Sequence, residues 1–154
     1  MDIRPIRPDD YEAVHRLMAQ VHALHAKNRP DVYRLAEVLP REDFERLLAD
    51  ERLFTLAAAE GGAVVGFCVV RLRQPSEDPA LQRRVVAYME DLCVDENCRH
   101  AGVGRRLYEA AEAQSRERGA QSLELMVWSF NEDALRFYRA MGMTPRSFVM
   151  ERRL

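Results

Sequence analysis

The sequence predicts one α/β domain spanning residues 1–154, and three observations carry that expectation. Two apolar runs flank Gly61-Gly62, a hairpin signal. From Val85 onward, strand-like and helix-like segments alternate, which favours layered strands and helices. Between the first two of these segments the chain passes through Gly102 and Gly104, the pattern of a strand that turns into a helix.

Taken in order, Asp2–Arg7 reads as a short strand. Pro8-Asp9-Asp10 starts a helix running to about Ala26, with Tyr11, Val14, Leu17, Met18, Val21 and Leu24 at helical spacing. Pro30 breaks the irregular stretch Asn28–Val38, and Pro40 opens a second helix with the stripe Phe44, Leu47 and Leu48. Leu53–Glu60 and Ala63–Leu72 form the hairpin, and Gln74–Gln82, with two prolines, is a loop. Val85–Val94 is a long strand and Gly104–Arg118 a helix ended by Gly119. Ser122–Val127 is a strand, Asn131–Met141 a helix stopped at Gly142, and Ser147–Arg152 a last strand. The order is β-α-α-β-β-β-α-β-α-β.

Bulk properties narrow the class. With 47% hydrophobic and 31% charged residues the chain has the composition of a globular protein large enough for a hydrophobic core. A net charge of −2 supplies no basic field for nucleic acid, and no apolar run is long enough for a membrane span. Cys68, Cys93 and Cys98 form neither a Cys-x-x-Cys pair nor a metal spacing. Three cysteines without a signal peptide fit a reducing cytoplasm.

The run Arg99-His100-Ala101-Gly102-Val103-Gly104 carries the chemistry. A strand–turn–helix junction aims free N–H groups and the positive end of the helix dipole at one point, a cradle for a diphosphate. Leu107 stands where a dinucleotide fingerprint needs its third glycine, and no Walker Gly-Lys-Ser/Thr follows. An ordinary strand–helix connection remains the plain alternative.

Arg-x-x-Gly-x-Gly, preceded by Asp91-Leu92-Cys93-Val94-Asp95 and followed by Leu107, resembles the acyl-CoA loop of the GNAT superfamily of N-acyltransferases. A second segment, Asn131-Glu132-Asp133-Ala134-Leu135-Arg136-Phe137-Tyr138-Arg139-Ala140-Met141-Gly142-Met143, is similar to the superfamily's Asn-x-x-Ala-x-x-Phe-Tyr…Gly-Phe signature, with Met143 in place of Phe. Both motifs lie in the C-terminal half; the N-terminal half matches only in the order of its elements. The resemblance implies a mixed, mostly antiparallel central sheet flanked by helices, with acetyl-CoA as co-substrate and no metal. It also implies that the strand bearing Leu92, Cys93 and Val94 splays from its neighbour and pairs through its main chain with pantetheine. Arg99, His100, Ala101, Gly102, Val103 and Gly104 then form the diphosphate site, with Arg99 as its basic residue.

Acetyl transfer to an amine needs a proton acceptor near nitrogen and a hydrogen-bond donor near the departing sulfur. Tyr138 shares an inward helix face with Ala134, Phe137 and Met141, and the resemblance makes it the donor; a core tyrosine bonded to a carbonyl is the alternative. Asn131 suits the helix N-cap, and the resemblance adds a contact to pantetheine. Period two puts Tyr88, Glu90, Leu92 and Val94 on one strand face and Met89, Asp91 and Cys93 on the other. Glu90 matches the acidic position of spermidine/spermine-type acetyltransferases, so it is the candidate base, directly or through water; a salt bridge to a neighbouring arginine is the alternative. His22, His25, Arg29, Asp31 and Tyr33 gather where the first helix breaks, a place for a substrate cleft, and the His pair lacks further metal partners.

The expected function is direct acetyl transfer from acetyl-CoA to a primary amine of a small molecule, polyamine-like or other, or of a protein. A non-catalytic acyl-CoA sensor or subunit is the alternative from another class, and a nucleotide-binding domain a third. A homodimer is ordinary among such relatives.

Overall fold

The computed structural model describes all residues 1–154. Strand β1 (Asp2–Arg4) ends before Pro5, which has no N–H to give a ladder, and a single 3₁₀ turn (Pro8–Asp10) leads into helix α1 (Tyr11–Asn28). Helix α2 (Arg41–Ala49) starts behind Pro40 and is followed by β2 (Leu53–Glu60) and β3 (Ala63–Arg73). Then come β4 (Val86–Val94), α3 (Val103–Glu117), β5 (Ser122–Glu124) and α4 (Glu132–Ala140). The sheet order is β1-β2-β3-β4-β5, antiparallel throughout except for the parallel pair β4–β5. Gly61 and Gly62 both have positive φ (57° and 87°), which closes the β2–β3 hairpin at no Cβ cost.

The sheet has a core on each face. On one side Phe54, Leu56, Cys68, Val70, Ala87 and Met89 pack beneath Val103, Leu107, Tyr108 and Ala111 of α3. On the other, Ala57, Phe67, Val69 and Cys93 pack against Tyr11, Val14 and Leu17 of α1 and Phe44 of α2.

Gly66 sets the seat of α3. A Cβ there would lie 2.9 Å from the Cys93 carbonyl oxygen and 3.1 Å from both Leu107 and Val103. Gly66→Ala is therefore expected to destabilise the fold by about 1–3 kcal/mol, read as a lower urea midpoint at unchanged m.

Two expectations are corrected. The last strand does not form: Ser147–Arg152 is irregular chain without a ladder, and Phe148, Val149 and Met150 face solvent. Strand propensity alone cannot hold a strand, because its main-chain groups need a neighbour and the chain gives this segment none. For the same reason the expected strand Ser122–Val127 shrinks to Ser122–Glu124, the part that faces β4.

Candidate active site

The alternation expected along β4 is broken by a bulge. Val69 pairs with Asp91 and Val70 with Met89, so Glu90 is the extra residue with no partner on β3. Side chains change face there: Ala87 and Met89 join the α3 core, Leu92 and Val94 pack against that same core, and Cys93 belongs to the α1 core. Tyr88 and Glu90 therefore do not share a face with Leu92 and Val94 as simple period two requires.

Pairing between β4 and β5 covers only Val86–Tyr88 against Ser122–Glu124. Beyond it, Met89–Val94 have β3 on one side and no strand on the other. This opens the main chain of Leu92, Cys93 and Val94 along a gap.

At the end of β4 the chain turns. Asp95 accepts from Asn97 N at 3.0 Å and pairs with Arg16 of α1, which fixes the entry to the turn. His100 (φ 66°) and Gly102 (φ 80°) both take the left-handed conformation. That reverses the chain so that Val103 begins α3. The N–H groups from Arg99 to Arg105 find no acceptor within the chain, and those of Val103, Gly104 and Arg105 stand at the positive end of the α3 dipole. Gly102 has open space where a Cβ would stand, whereas a Cβ on Gly104 would be 3.4 Å from Phe137. One glycine thus serves the turn and the other the close packing of α3 on α4.

Tyr138 of α4 lies among Tyr108 and Phe137, with ring centroids 6.5 Å and 5.2 Å away. Its hydroxyl has no hydrogen-bond partner in the protein, and no fully buried side-chain polar atom is left unpaired, so this hydroxyl reaches an opening. Burial foremost, then the charges of Cys68, Cys93, Asp91 and Tyr108, push its pKa well above that of an ordinary tyrosine. It stays protonated and can only donate or accept a hydrogen bond. Asn131 caps α4 by accepting from Ala134 N at 3.2 Å.

The two acidic residues of β4 differ sharply. Glu90 is exposed and forked by Arg71, with Oε1 2.5 Å from Nε, and Arg71 also reaches Asp50 at 3.0 Å. That is the arginine pairing the sequence left open for it. Asp91, only partly exposed, has no hydrogen bond or ion pair, and its pKa is raised to about 6, first by desolvation and then by the Glu90 charge. The Cys93 thiol is buried and held well above the usual range by the loss of water around it and by Asp91 and Cys68.

A cluster of rings ties the end of α1 and the loop after it to the segment that follows β5. His25 stacks on Tyr33 with centroids 5.3 Å apart, Trp128 Nε1 donates to the Tyr33 hydroxyl at 3.1 Å, and Trp128 stacks on Phe130. Arg29 lies 4.6 Å above the Trp128 ring, held by Asp31 at 2.8 Å and Glu151 at 3.0 Å. His22 is spent on the Arg34 carbonyl at 2.9 Å, and no group of three or more metal-ligating side chains is present. Trp128, Phe130, Gly66 and the Asp91 carboxyl all escaped sequence reasoning. The lone Trp three residues before Asn131 was the one signal available.

The fold and this strand–turn–helix define a layered α/β domain with free amides at the start of α3, and comparison with known proteins names the family. The model of the Acetyltransferase (GNAT) family matches residues 18–143, and the chain belongs to that family. It is 35% identical to a tetramutant of the BH1408 protein from Bacillus halodurans, which it covers completely on both sides with a TM-score of 0.96. An uncharacterized N-acetyltransferase from Lactobacillus delbrueckii subsp. lactis is 38% identical over 56 residues, a match spanning 36% of this chain and about a third (32%) of that relative. The aminoglycoside N-acetyltransferase AAC(6')-Iy in complex with CoA shares the fold, with a TM-score of 0.75 at 19% identity over 99% of this chain and 98% of that one. No helix is long and apolar enough to cross a membrane.

Proposed function

We propose that the chain is an acetyl-CoA-dependent N-acetyltransferase that passes the acetyl group directly to the primary amine of a small molecule or a protein. The observation that carries this reading is a single continuous track. The main chain of Leu92–Val94, free of any strand on the side away from β3, leads into the free amides of Arg99–Arg105, with the unpartnered Tyr138 hydroxyl alongside.

The residues fit such a co-substrate. The amides of Arg99, His100, Ala101, Gly102, Val103 and Gly104 hold the diphosphate, with the exposed Arg99 adding charge. Leu92, Cys93 and Val94 pair with the pantetheine arm as a strand edge would, and Asn131 lies at the neighbouring helix end. When bound, acetyl-CoA supplies an activated acyl carbon and a thiolate leaving group. Tyr138 donates a hydrogen bond to sulfur as the C–S bond breaks and the N–C bond forms.

The amine must lose a proton, and an amine of pKa ~10.4 costs about 4–5 kcal/mol to deprotonate at neutral pH. Asp91 takes that proton: its carboxyl is unpartnered, and a pKa of about 6 leaves it ionised yet basic at pH 7. Glu90, the base implied by the family resemblance, acts on Asp91 through its charge, because Arg71 already occupies it. A buried Cys93 thiol with a raised pKa is a poor nucleophile, which favours direct transfer over an acyl-enzyme. The rings of His25, Tyr33, Trp128 and Phe130 form the acceptor side. Free thiols at Cys68, Cys93 and Cys98 support a reducing, cytoplasmic setting.

Purified protein given acetyl-CoA and a chemically diverse amine panel is expected to release thiol with at least one amine. Calorimetry is expected to find acetyl-CoA bound and ATP and NAD not. Binding without thiol release across the panel would favour the non-catalytic sensor, and binding of only ATP or NAD would overturn the assignment.

A further inference from the structure

The turn Arg99–Gly102 does not hold its own shape. Its four residues are exposed, and none of their N–H groups has an acceptor in the chain. Its conformation is therefore set where it begins and where it ends. Helix α3 fixes the exit, with Arg106 N donating to the Gly102 carbonyl at 3.1 Å.

The entry is held by other elements. Asp95 N donates to Val65 O of β3 at 2.9 Å, and Cys98 N to Asp95 O at 2.9 Å. The Asp95 side chain is buried and fully used. Its Oδ1 accepts from Asn97 N at 3.0 Å and Asn97 Nδ2 at 3.1 Å, and its Oδ2 pairs with Arg16 of α1. Four residues along the same helix, Gln20 Oε1 accepts from Glu96 N at 3.3 Å. Arg16 and Gln20 thus share one face of α1 and hold two successive residues of the entry. Arg16 foremost, then the Asn97 N–H, keep the Asp95 carboxyl below the usual carboxylate range, so the pair is charged at neutral pH. Helix α1 packs on the face of the sheet opposite α3. One layer therefore fixes the start of the turn and the other layer its end.

We propose that Arg16 and Gln20 are positioning residues for the co-substrate, setting its affinity through Asp95 and Glu96 by holding the entry of the Arg99–Gly104 turn. This deepens the acetyl-CoA reading above and rests on it. An exposed turn without bonds of its own takes other shapes once its entry is released. A ligand that needs one shape then binds more weakly in proportion to the lost population, so a drop to about a tenth raises Kd about tenfold.

Calorimetry with acetyl-CoA, kinetics with the best amine of the panel and amide exchange of the ligand-free chain test it. Arg16→Met keeps an unbranched apolar stem and removes the charge, and with 51% of the Arg16 side chain exposed it opens no cavity. It is expected to raise Kd and KM for acetyl-CoA about tenfold and to leave kcat within about twofold. Exchange of the Glu96, Asn97 and Cys98 amides is expected to quicken about tenfold in the same variant. A single nitrogen of Arg16 makes the pair, so Arg16→Lys is expected to stay within about threefold of wild type. Gln20→Met, which loses only the Glu96 bond, is expected to raise Kd about threefold. Adding Asp95→Asn to Arg16→Met is expected to cost less than about twofold more, because the two side chains act as one unit. A purely structural pair would lower Tm and leave Kd and KM alone. That result overturns the proposal while the acetyltransferase reading stands, whereas a wild type that binds no acetyl-CoA overturns both.

Discussion

Asp91→Asn is expected to lower kcat by about 10²- to 10³-fold at pH 7 while the KM for acetyl-CoA stays within about twofold, the pattern of a lost general base. The substitution keeps the size of the side chain and removes only its ability to take a proton. Glu90→Gln, by contrast, is expected to cost less than about tenfold, because it removes a neighbouring charge and not the acceptor. If Glu90 were the base, the two losses would be reversed, and steady-state kinetics on the pair decides between them.

The same residue links activity to stability. In the folded chain the Asp91 carboxyl titrates at about 6 against an ordinary value of 3.8, so folding favours its protonated form. The free enzyme therefore gains its base as pH rises through about 6. With an acceptor amine that arrives protonated, log(kcat/KM) should climb with a slope of about one below that point and level off above it. The Asn variant should keep a slope of about one throughout, and Glu90→Gln should move the break to lower pH. Stability runs the other way. It falls as pH rises from the ordinary carboxylate range through about 6, since the ionised form is the one that desolvation disfavours. Asp91→Asn is thus expected to stabilise the fold at pH 8 by about 1–2 kcal/mol in urea unfolding, after allowing for the water that still reaches the group. A protein that is firmer and inactive separates a chemical role from a structural one.

The parts of this site that were legible in the sequence are those set by local backbone chemistry. Gly61-Gly62 announced a hairpin because both positions need positive φ. Arg99–Gly104 announced a strand–turn–helix because Gly102 suits the positive φ at which the chain reverses into a helix, and Asn131 sits at a helix start where its side chain caps Ala134 N. What stayed hidden depends on a neighbour. The bulge at Glu90 is a mismatch between β4 and β3, so a period-two reading of β4 alone put Glu90 on one face with Leu92. Gly66 looked like one residue of a strand, and its importance comes from Cys93, Leu107 and Val103 lying against it. The missing last strand follows the same rule: Ser147–Arg152 has the propensity, but within one chain it has no ladder to join.

Tyr138→Phe is expected to reduce kcat by about 10- to 100-fold, somewhat less than the loss of a single oxyanion donor, because a thiolate of pKa ~8.5 is already a fair leaving group. The ring stays, and with it the contacts to Tyr108 and Phe137. Since the hydroxyl bonds nothing in the protein, removing it should leave Tm unchanged or slightly higher, the reverse of what a buried, satisfied tyrosine would do. Its raised pKa means that it donates a hydrogen bond across the whole working range, so the variant should scale the pH profile down without moving its break near 6. A fall in Tm with kcat intact would assign Tyr138 to the core. A shifted break would mean that Tyr138 and Asp91 share one proton, and that donor and acceptor are coupled across the gap.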